Sequence, residues 1–417
     1  MKYFLRIFVG KKLTLNRTRK EVKAMHYTGV VSRGIITPIF QEGDDLVAAI
    51  VKSITDAAEN EKFELQDRNI VGVTEAVVAR TQGNYATVDQ IATDIRNKFG
   101  GEDLGIVFPI LSRNRFAILL RAIAKSCKKL YVQLSYPSDE VGNSFITYDA
   151  IDEKGVNPYS DSFNEEGFRK VFGFETKHTF TGVDYIEYYK SLGDNIEIVF
   201  SNDPRYILNY TKNVLNCDIH TRFRTQRLLL NAGAEKVYRM DQILTESVDG
   251  SGFNPQYGIL GSNKATEEKV KLFPRDCDKF VNDLQKALLE ATGKHMEVMV
   301  YGDGGFKDPV GGIWELADPV VSPGYTSGLE GTPNEIKMKY FADNDLSDLK
   351  GEELSKAMKE LIKKKEGSLV GDMTSQGTTP RRLTDLLGSL CDLTSGSGDR
   401  GTPCILIQGY FDNYATE

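Results

Sequence analysis

The sequence predicts a mixed α/β fold carrying an inserted α/β segment, and three observations predict it. Short β-branched runs alternate with helically spaced apolar stretches from residue 28 onward. At residue 135 a loop-rich stretch interrupts that alternation before a second strand–helix–strand series begins. The C-terminal part, 248–417, is divided by glycine-rich loops.

Taken in order, 1–27 is a basic extension expected to be disordered. Its first 23 residues hold eight Lys/Arg against one Glu around a short apolar patch at 3–9, with no small-residue cleavage site after it. Met25 is read as an alternative start. The first part of the fold, 28–134, opens with a strand at 28–32. A helix follows at 44–58, where Asp44 and Asp45 suit the positive end of the helix dipole. A strand at 69–73 leads into a helix at 75–80. Next come a helix at 88–98, an extended run at 104–107, a helix at 115–127 and a strand at 129–134.

The inserted segment, 135–247, starts in turn residues such as Pro137, Gly142, Gly155 and Pro158. It continues as a helix at 183–192, a strand at 196–200, helices at 204–215 and 221–232, and a strand at 235–238. Strand–helix–strand order implies a parallel βαβ element. The C-terminal part reads as helices at 276–291, 352–365 and 381–393, with strands at 297–301 and 403–408.

Composition narrows the function. With 40% hydrophobic and 27% charged residues, the 417-residue chain has ample material for a core. A net charge of −7 offers no broad positive field to a nucleic-acid backbone. No run approaches the ~20 apolar residues of a membrane span, so a cytoplasmic protein without a membrane partner is expected. The five cysteines are dispersed without a C-x-x-C pair and read as reduced core thiols. No 20–50-residue period recurs, and G-x-x-x-x-G-K-[ST], G-x-S-x-G and H-E-x-x-H are all missing. The four histidines never take a metal-ligand spacing; His178 and His220 read as surface or satisfied core residues.

Three loops in the C-terminal part bear the chemistry. DGSGF at 249–253, followed by GILGSNK at 258–264, lets the backbone approach a ligand and aims Ser262, Asn263 and Lys264 at a phosphate; the same composition also suits an ordinary turn. YGDGGFKDP at 301–309 sets Asp303 directly after a strand. Two readings stand there. Asp303 either holds Mg²⁺ or Mn²⁺, with Lys307 reaching the bridged phosphate and Asp308, Glu315 and Asp318 nearby, or caps a tight turn. GSGDRG at 396–401 matches G-x-G-x-x-G, but a helix precedes it and a strand follows, the reverse of a dinucleotide fingerprint. It is therefore a phosphate-wrapping loop or a connecting turn. Basic clusters at 112–115 and 220–227 either grip an anionic substrate or form solvated faces. In SQGTTPRR at 375–382, Arg381 and Arg382 meet the start of a helix, where an anion is favoured.

These pieces resemble the gamma-glutamyl ligase family of the deazaflavin coenzyme F-420. That family condenses glutamate onto a phosphate-containing, flavin-like acceptor with GTP and a divalent metal. The likeness covers roughly 28–134 and 249–409. TPIFQEGDDL at 37–46 is similar to the family's opening, which implies nucleotide contacts at Thr37, Pro38 and Ile39. VTEAVVARTQG at 73–83 is similar to its strand and helix start; Arg80 stands where the family has a nucleotide-binding Lys, and Glu75 is implied in the cofactor site. The 258–264 loop resembles Gly-Ile-Asp-x-Ser-Asn and implies a nucleotide contact at Asn263. Residues 301–307 resemble Asp-Thr-x-Gly-Arg, making Asp303 the metal ligand and Lys307 its cationic neighbour. The last loop places Ser395, Gly396, Ser397, Gly398, Asp399, Gly401 and Thr402 around the nucleotide phosphates.

Three positions depart from the family's pattern. Leu260 replaces a metal-binding Asp, Gly304 replaces Thr or Ser, and Ser397 occupies the last-loop metal position held by Gln or Glu. Asp249, Asp308 and Glu315 are the candidates to replace the missing ligand. Residues 135–243 have no counterpart in compact members.

The resemblance implies an ATP- or GTP-dependent acid–amino-acid ligase working through an acyl phosphate, with Asp303, Lys307 and Arg80 as catalytic residues and metal at Asp303, Ser397 and Asp249. Implied partners are the nucleotide, glutamate, an anionic small-molecule acceptor and a second copy in a homodimer. The alternatives on the same loops are a phosphohydrolase and a non-catalytic nucleotide- or cofactor-binding protein.

Overall fold

The computed structural model describes residues 28–178, 181–302, 321–375, 381–395 and 398–416; the expected basic extension lies outside them. Strand β1 (Val31–Ile35) leads to α1 (Leu46–Glu61), and β2 (Ile70–Thr74) runs directly into α2 (Glu75–Thr81). A turn then gives β3 (Tyr85–Thr87) and α3 (Val88–Phe99), which starts in a reciprocal Thr87–Gln90 capping box. The chain continues through β4 (Leu104–Val107), α4 (Phe116–Ser126), β5 (Leu130–Leu134), α5 (Tyr148–Lys154), β6 (Phe163–Asn164), α6 (Glu165–Phe172) and α7 (Tyr185–Lys190). After β7 (Ile196–Phe200) come β8 (Asn213–Asn216), α8 (Arg222–Asn231), β9 (Lys236–Arg239), β10 (Asn263–Lys264) and β11 (Lys269–Lys271). The C-terminal elements are α9 (Cys277–Thr292), β12 (Glu297–Tyr301), β13 (Gly324–Tyr325), α10 (Met338–Asp343), α11 (Gly351–Lys363), α12 (Leu383–Ser395) and β14 (Cys404–Gln408).

The first sheet has the order β1-β14-β2-β12-β13. β2 and β12 are parallel, while β14 lies antiparallel between β1 and β2. Alternation along its strands fills two layers. Val71, Val73, Val298, Val300 and Leu406 face α1 and α9. Ile70, Met299, Ile405 and Ile407 face α12, around Leu387 and Cys391. Gly72 is required on that second face: a Cβ there would stand 2.4 Å from Cys391 Sγ.

The second sheet has the order β6-β7-β5-β4-β8-β9, parallel except for β6. Counting only its parallel strands in chain order, the arrangement is third-second-first-fourth-fifth, the doubly wound pattern. Leu104, Ile106, Val132 and Phe200 meet α3, α4, α6 and α7 on one face. Val107, Val199 and Val214 meet Ile207 and α8 on the other. Both faces are covered, which accounts for the nearly continuous apolar runs of these strands. A small antiparallel sheet, β10-β11-β3, joins the two units.

Two sequence expectations are corrected. The helix expected at 204–215 is a 3-10 turn at Pro204–Asn209 followed by β8. Asp203 accepts from Arg205 N–H as the cap that opens this turn, and the apolar run beyond the turn is claimed by pairing with β4 and β9. The strand expected at 28–32 is Val31–Ile35, because its register is set by β14, with Ile35 opposite Cys404. The second sheet draws β4 and β5 from before residue 135 and β6 to β9 from after it. Chain on both sides of the expected 134/135 boundary thus shares one hydrogen-bonded sheet.

Candidate functional site at one edge of the first sheet

Because β1, β2 and β12 run the same way and β14 runs against them, four connections converge on one edge. Ile35 pairs with Cys404, Val73 pairs with Cys404 from the other side, and Thr74 pairs with Tyr301. Thr37 N–H donates to Gly401 O at 3.1 Å and Thr74 N–H to Pro403 O at 3.0 Å. Gly43 N–H donates to Thr81 O at 2.9 Å, tying the loop after β1 to α2. Thr402 lies across β1, where a Cβ on Gly34 would stand 2.9 Å from the Thr402 Cβ, and its hydroxyl donates to Ser395 O at 2.9 Å.

This edge brings together Thr37, Pro38, Ile39, Glu75, Ser395, Gly401 and Thr402, residues spread over most of the chain. Glu75 is buried as α2 begins, and one of its oxygens accepts from the Thr74 hydroxyl at 3.0 Å. Ile39 is 87% exposed, and Arg80 lies exposed in the last turn of α2. Gly398 and Gly401 have φ of +114° and +67°, conformations that glycine adopts without strain. Asp399 is exposed between them. Asp45 is structural, accepting from Ala48 N–H at 3.0 Å as the cap of α1.

Asp303, Lys307, Gly396 and Ser397 lie outside the described residues. Their neighbours bracket the same edge. Gly302, next to Asp303, leaves β12 with its N–H on Val321 O at 2.8 Å, and Gly398 begins the described end of the last loop. β12 and β14 are the two strands paired with β2.

Asn263 and Asp249 are placed elsewhere. Asn263 is half-buried in the three-stranded sheet that joins the units, opposite Lys271. Asp249 is an exposed turn residue at φ +50° whose carbonyl accepts from Gln90, beside α3. Among the described residues no three His, Cys, Asp or Glu side chains gather as a metal site. Leu260 is fully buried in the core of the second unit. At the position where the resemblance implied a metal-binding Asp, this chain has a packing residue of the second unit's core.

The cysteines are free thiols, as read from their spacing, and burial pushes Cys404 up to about 12, so it stays protonated beneath the edge. His178 is 2% exposed, with Nε2 3.1 Å from Asn143 Oδ1, a satisfied core histidine. No helix among the described residues is long and apolar enough to cross a membrane.

Sequence reasoning missed the residues that brace the second sheet at its carboxyl edge. Asp139 accepts from Leu111 N–H at 2.8 Å, and Glu140 accepts from Ile219 and His220 N–H at 2.7 and 3.0 Å. Burial raises Glu140 to about 7, with Asp218 and Asp139 adding to the shift. The one signal available was a pair of acids in an otherwise turn-like stretch.

The layered mixed sheets, with glycine-punctuated loops converging on one edge, define an α/β protein. Over residues 34–409 the chain matches the model of the F420-0:gamma-glutamyl ligase family, and it belongs to that family. The match opens within β1 and closes just after β14, the two paired strands that frame the edge. No individual curated protein was found to match.

Proposed function

We propose that the protein is a nucleotide- and divalent-metal-dependent carboxylate–amine ligase that adds L-glutamate to a phosphate-containing small-molecule acceptor. Family membership supports the gamma-glutamyl ligase class. The observation that carries the finer reading is the convergence of Gly302, Glu75, Thr37 and Gly398–Thr402 on one sheet edge.

Asp303 and Ser397, each adjacent in sequence to a described residue of that edge, would hold Mg²⁺ or Mn²⁺. Carboxylate and hydroxyl oxygens suit such a hard cation. When bound, the ion neutralises charge on a transferring phosphoryl group. Left-handed Gly398 and Gly401 leave loop N–H groups for the nucleotide phosphates, and Arg80 and Lys307 add positive charge. The acceptor carboxylate attacks the γ-phosphate, giving an acyl phosphate and a nucleoside diphosphate. The glutamate amine then attacks the acyl carbon and phosphate departs, leaving an amide.

The assay is nucleoside diphosphate release by the full chain with GTP or ATP and Mg²⁺, with and without glutamate and acceptor. Release that requires the amine supports the ligase, and Asp303→Ala should lower it by about 10²-fold or more. Turnover unchanged in Asp303→Ala would sink the assignment, and phosphate release without an amine would make the protein a hydrolase. Burial of Leu260 favours a second reading, a nucleotide- or cofactor-binding protein without turnover; nucleotide binding with no release in any combination would establish it.

A further inference from the structure

The core of the first sheet holds a polar group that its packing does not explain. Tyr301 ends β12 directly before Gly302 and is 2% exposed, with its ring among Ile70, Met299, Leu387 and Cys391. Gly72 makes room for that ring: a Cβ there would stand 3.3 Å from Tyr301 Cδ1. A phenylalanine would fill the same space. The tyrosine hydroxyl, shut away from water, makes no hydrogen bond among the described residues. A buried donor left unpaired costs stability that a phenylalanine would keep.

The surroundings show where a partner comes from. The hydroxyl faces Ser395, the last residue of α12. Ser395 turns its own O–H to Asp392 O at 2.9 Å, and its carbonyl accepts from the Thr402 hydroxyl at 2.9 Å. Thr402 follows Gly401, whose carbonyl accepts from Thr37 N–H at 3.1 Å. A pull on the 398–402 loop therefore passes through Thr402 to Ser395, the group opposite Tyr301. Hydrogen bonds weaken steeply with misalignment, so a small shift of Ser395 is enough to make or break one there.

We infer that Tyr301 is a positioning residue of the nucleotide site. A phosphate settling on the 398–402 loop draws Ser395 into line with the Tyr301 hydroxyl, which donates to Ser395 Oγ and fixes the end of α12 beneath the ligand. The inference rests on the nucleotide-dependent reading given above.

The test is calorimetric titration of the full chain with GTP and with ATP in Mg²⁺, without glutamate or acceptor, beside denaturant melts of the nucleotide-free protein. Tyr301→Phe keeps the ring. It should leave the unfolding midpoint of the free protein at or above that of wild type and weaken nucleotide binding by about three- to tenfold. Ser395→Ala should weaken binding as well, and combining the two should cost little more than either alone. A tyrosine with a merely structural role gives the opposite pattern, a lowered midpoint with unchanged affinity, and that result overturns the inference. Full additivity of the two substitutions also overturns it, because Tyr301 would then not act through Ser395. A wild type that binds neither nucleotide sinks the reading of the site itself, and the inference with it; wild-type binding with unchanged affinity in Tyr301→Phe sinks the inference alone.

Discussion

The five-stranded and six-stranded sheets reach their covered cores by opposite routes. The first joins the two ends of the chain: β1 pairs with β14, and β14 inserts beside β2. Its edge is therefore assembled from loops far apart in sequence. The second is built from β4 to β9, one continuous stretch, with helices packed on both faces and an aromatic cluster in which the Phe168 and Phe200 rings stack 3.9 Å apart. Contacts of short sequence separation close early in folding, whereas the first sheet must wait for its last strand. The described residues of the loops at 37–43 and 398–402 sit at the edge of the non-local sheet, while Ile259 and Leu260 pack in the core of the local one. Leu260 lies at the seam: a position of the ligase loop buried in the core of the other unit.

That contrast can be broken most forcefully at the seam. Leu260→Asp restores the residue type implied by the family but buries an unpaired carboxylate, and it should cost about 3–5 kcal/mol in denaturant unfolding monitored by fluorescence. A variant as stable as wild type would show that the 258–262 loop can leave the second core and serve the first sheet.

The next effect tests the second unit alone. Glu140 has a folded pKa of about 7, raised from 4.5 by burial. Between those values the folded protein keeps a proton that the unfolded chain has released, so stability falls as pH rises through the window and levels off above it. Glu140→Gln removes that slope. Glu140 as a whole residue is exposed, so solvent screens part of the effect, and the variant's stability relative to wild type should rise by about 1–2 kcal/mol between pH 5 and pH 8, read from paired denaturant melts. A parallel pH dependence in the two proteins would mean that Glu140 is already ionised at pH 5.

The smallest effect belongs to the first unit. Asp45→Ala removes the acceptor of Ala48 N–H and should cost about 1 kcal/mol, with no change in the pH slope set by Glu140. If the slope changed as well, the two units would be titrating as one.

Much of this molecule was legible residue by residue. The helices at α1, α4, α9 and α12 fall within a few residues of their expected bounds, because caps and 3.6-residue periodicity are local signals. The helix-then-strand context of 396–401 was read in the same way, since α12 ends at Ser395 and β14 begins at Cys404. Residues 204–215 were misread because a short apolar run suits a helix or a strand equally, and only β4 and β9 on either side decide between them.

By itself, then, the sequence determined the order of elements, the glycine loops and the family to which they belong. Tertiary structure alone decided which strands share a sheet, that Thr37, Glu75 and Thr402 meet at one edge, and that Leu260 faces a core. Strand pairing and burial depend on residues tens or hundreds of positions away, while propensity and capping act within a turn or two.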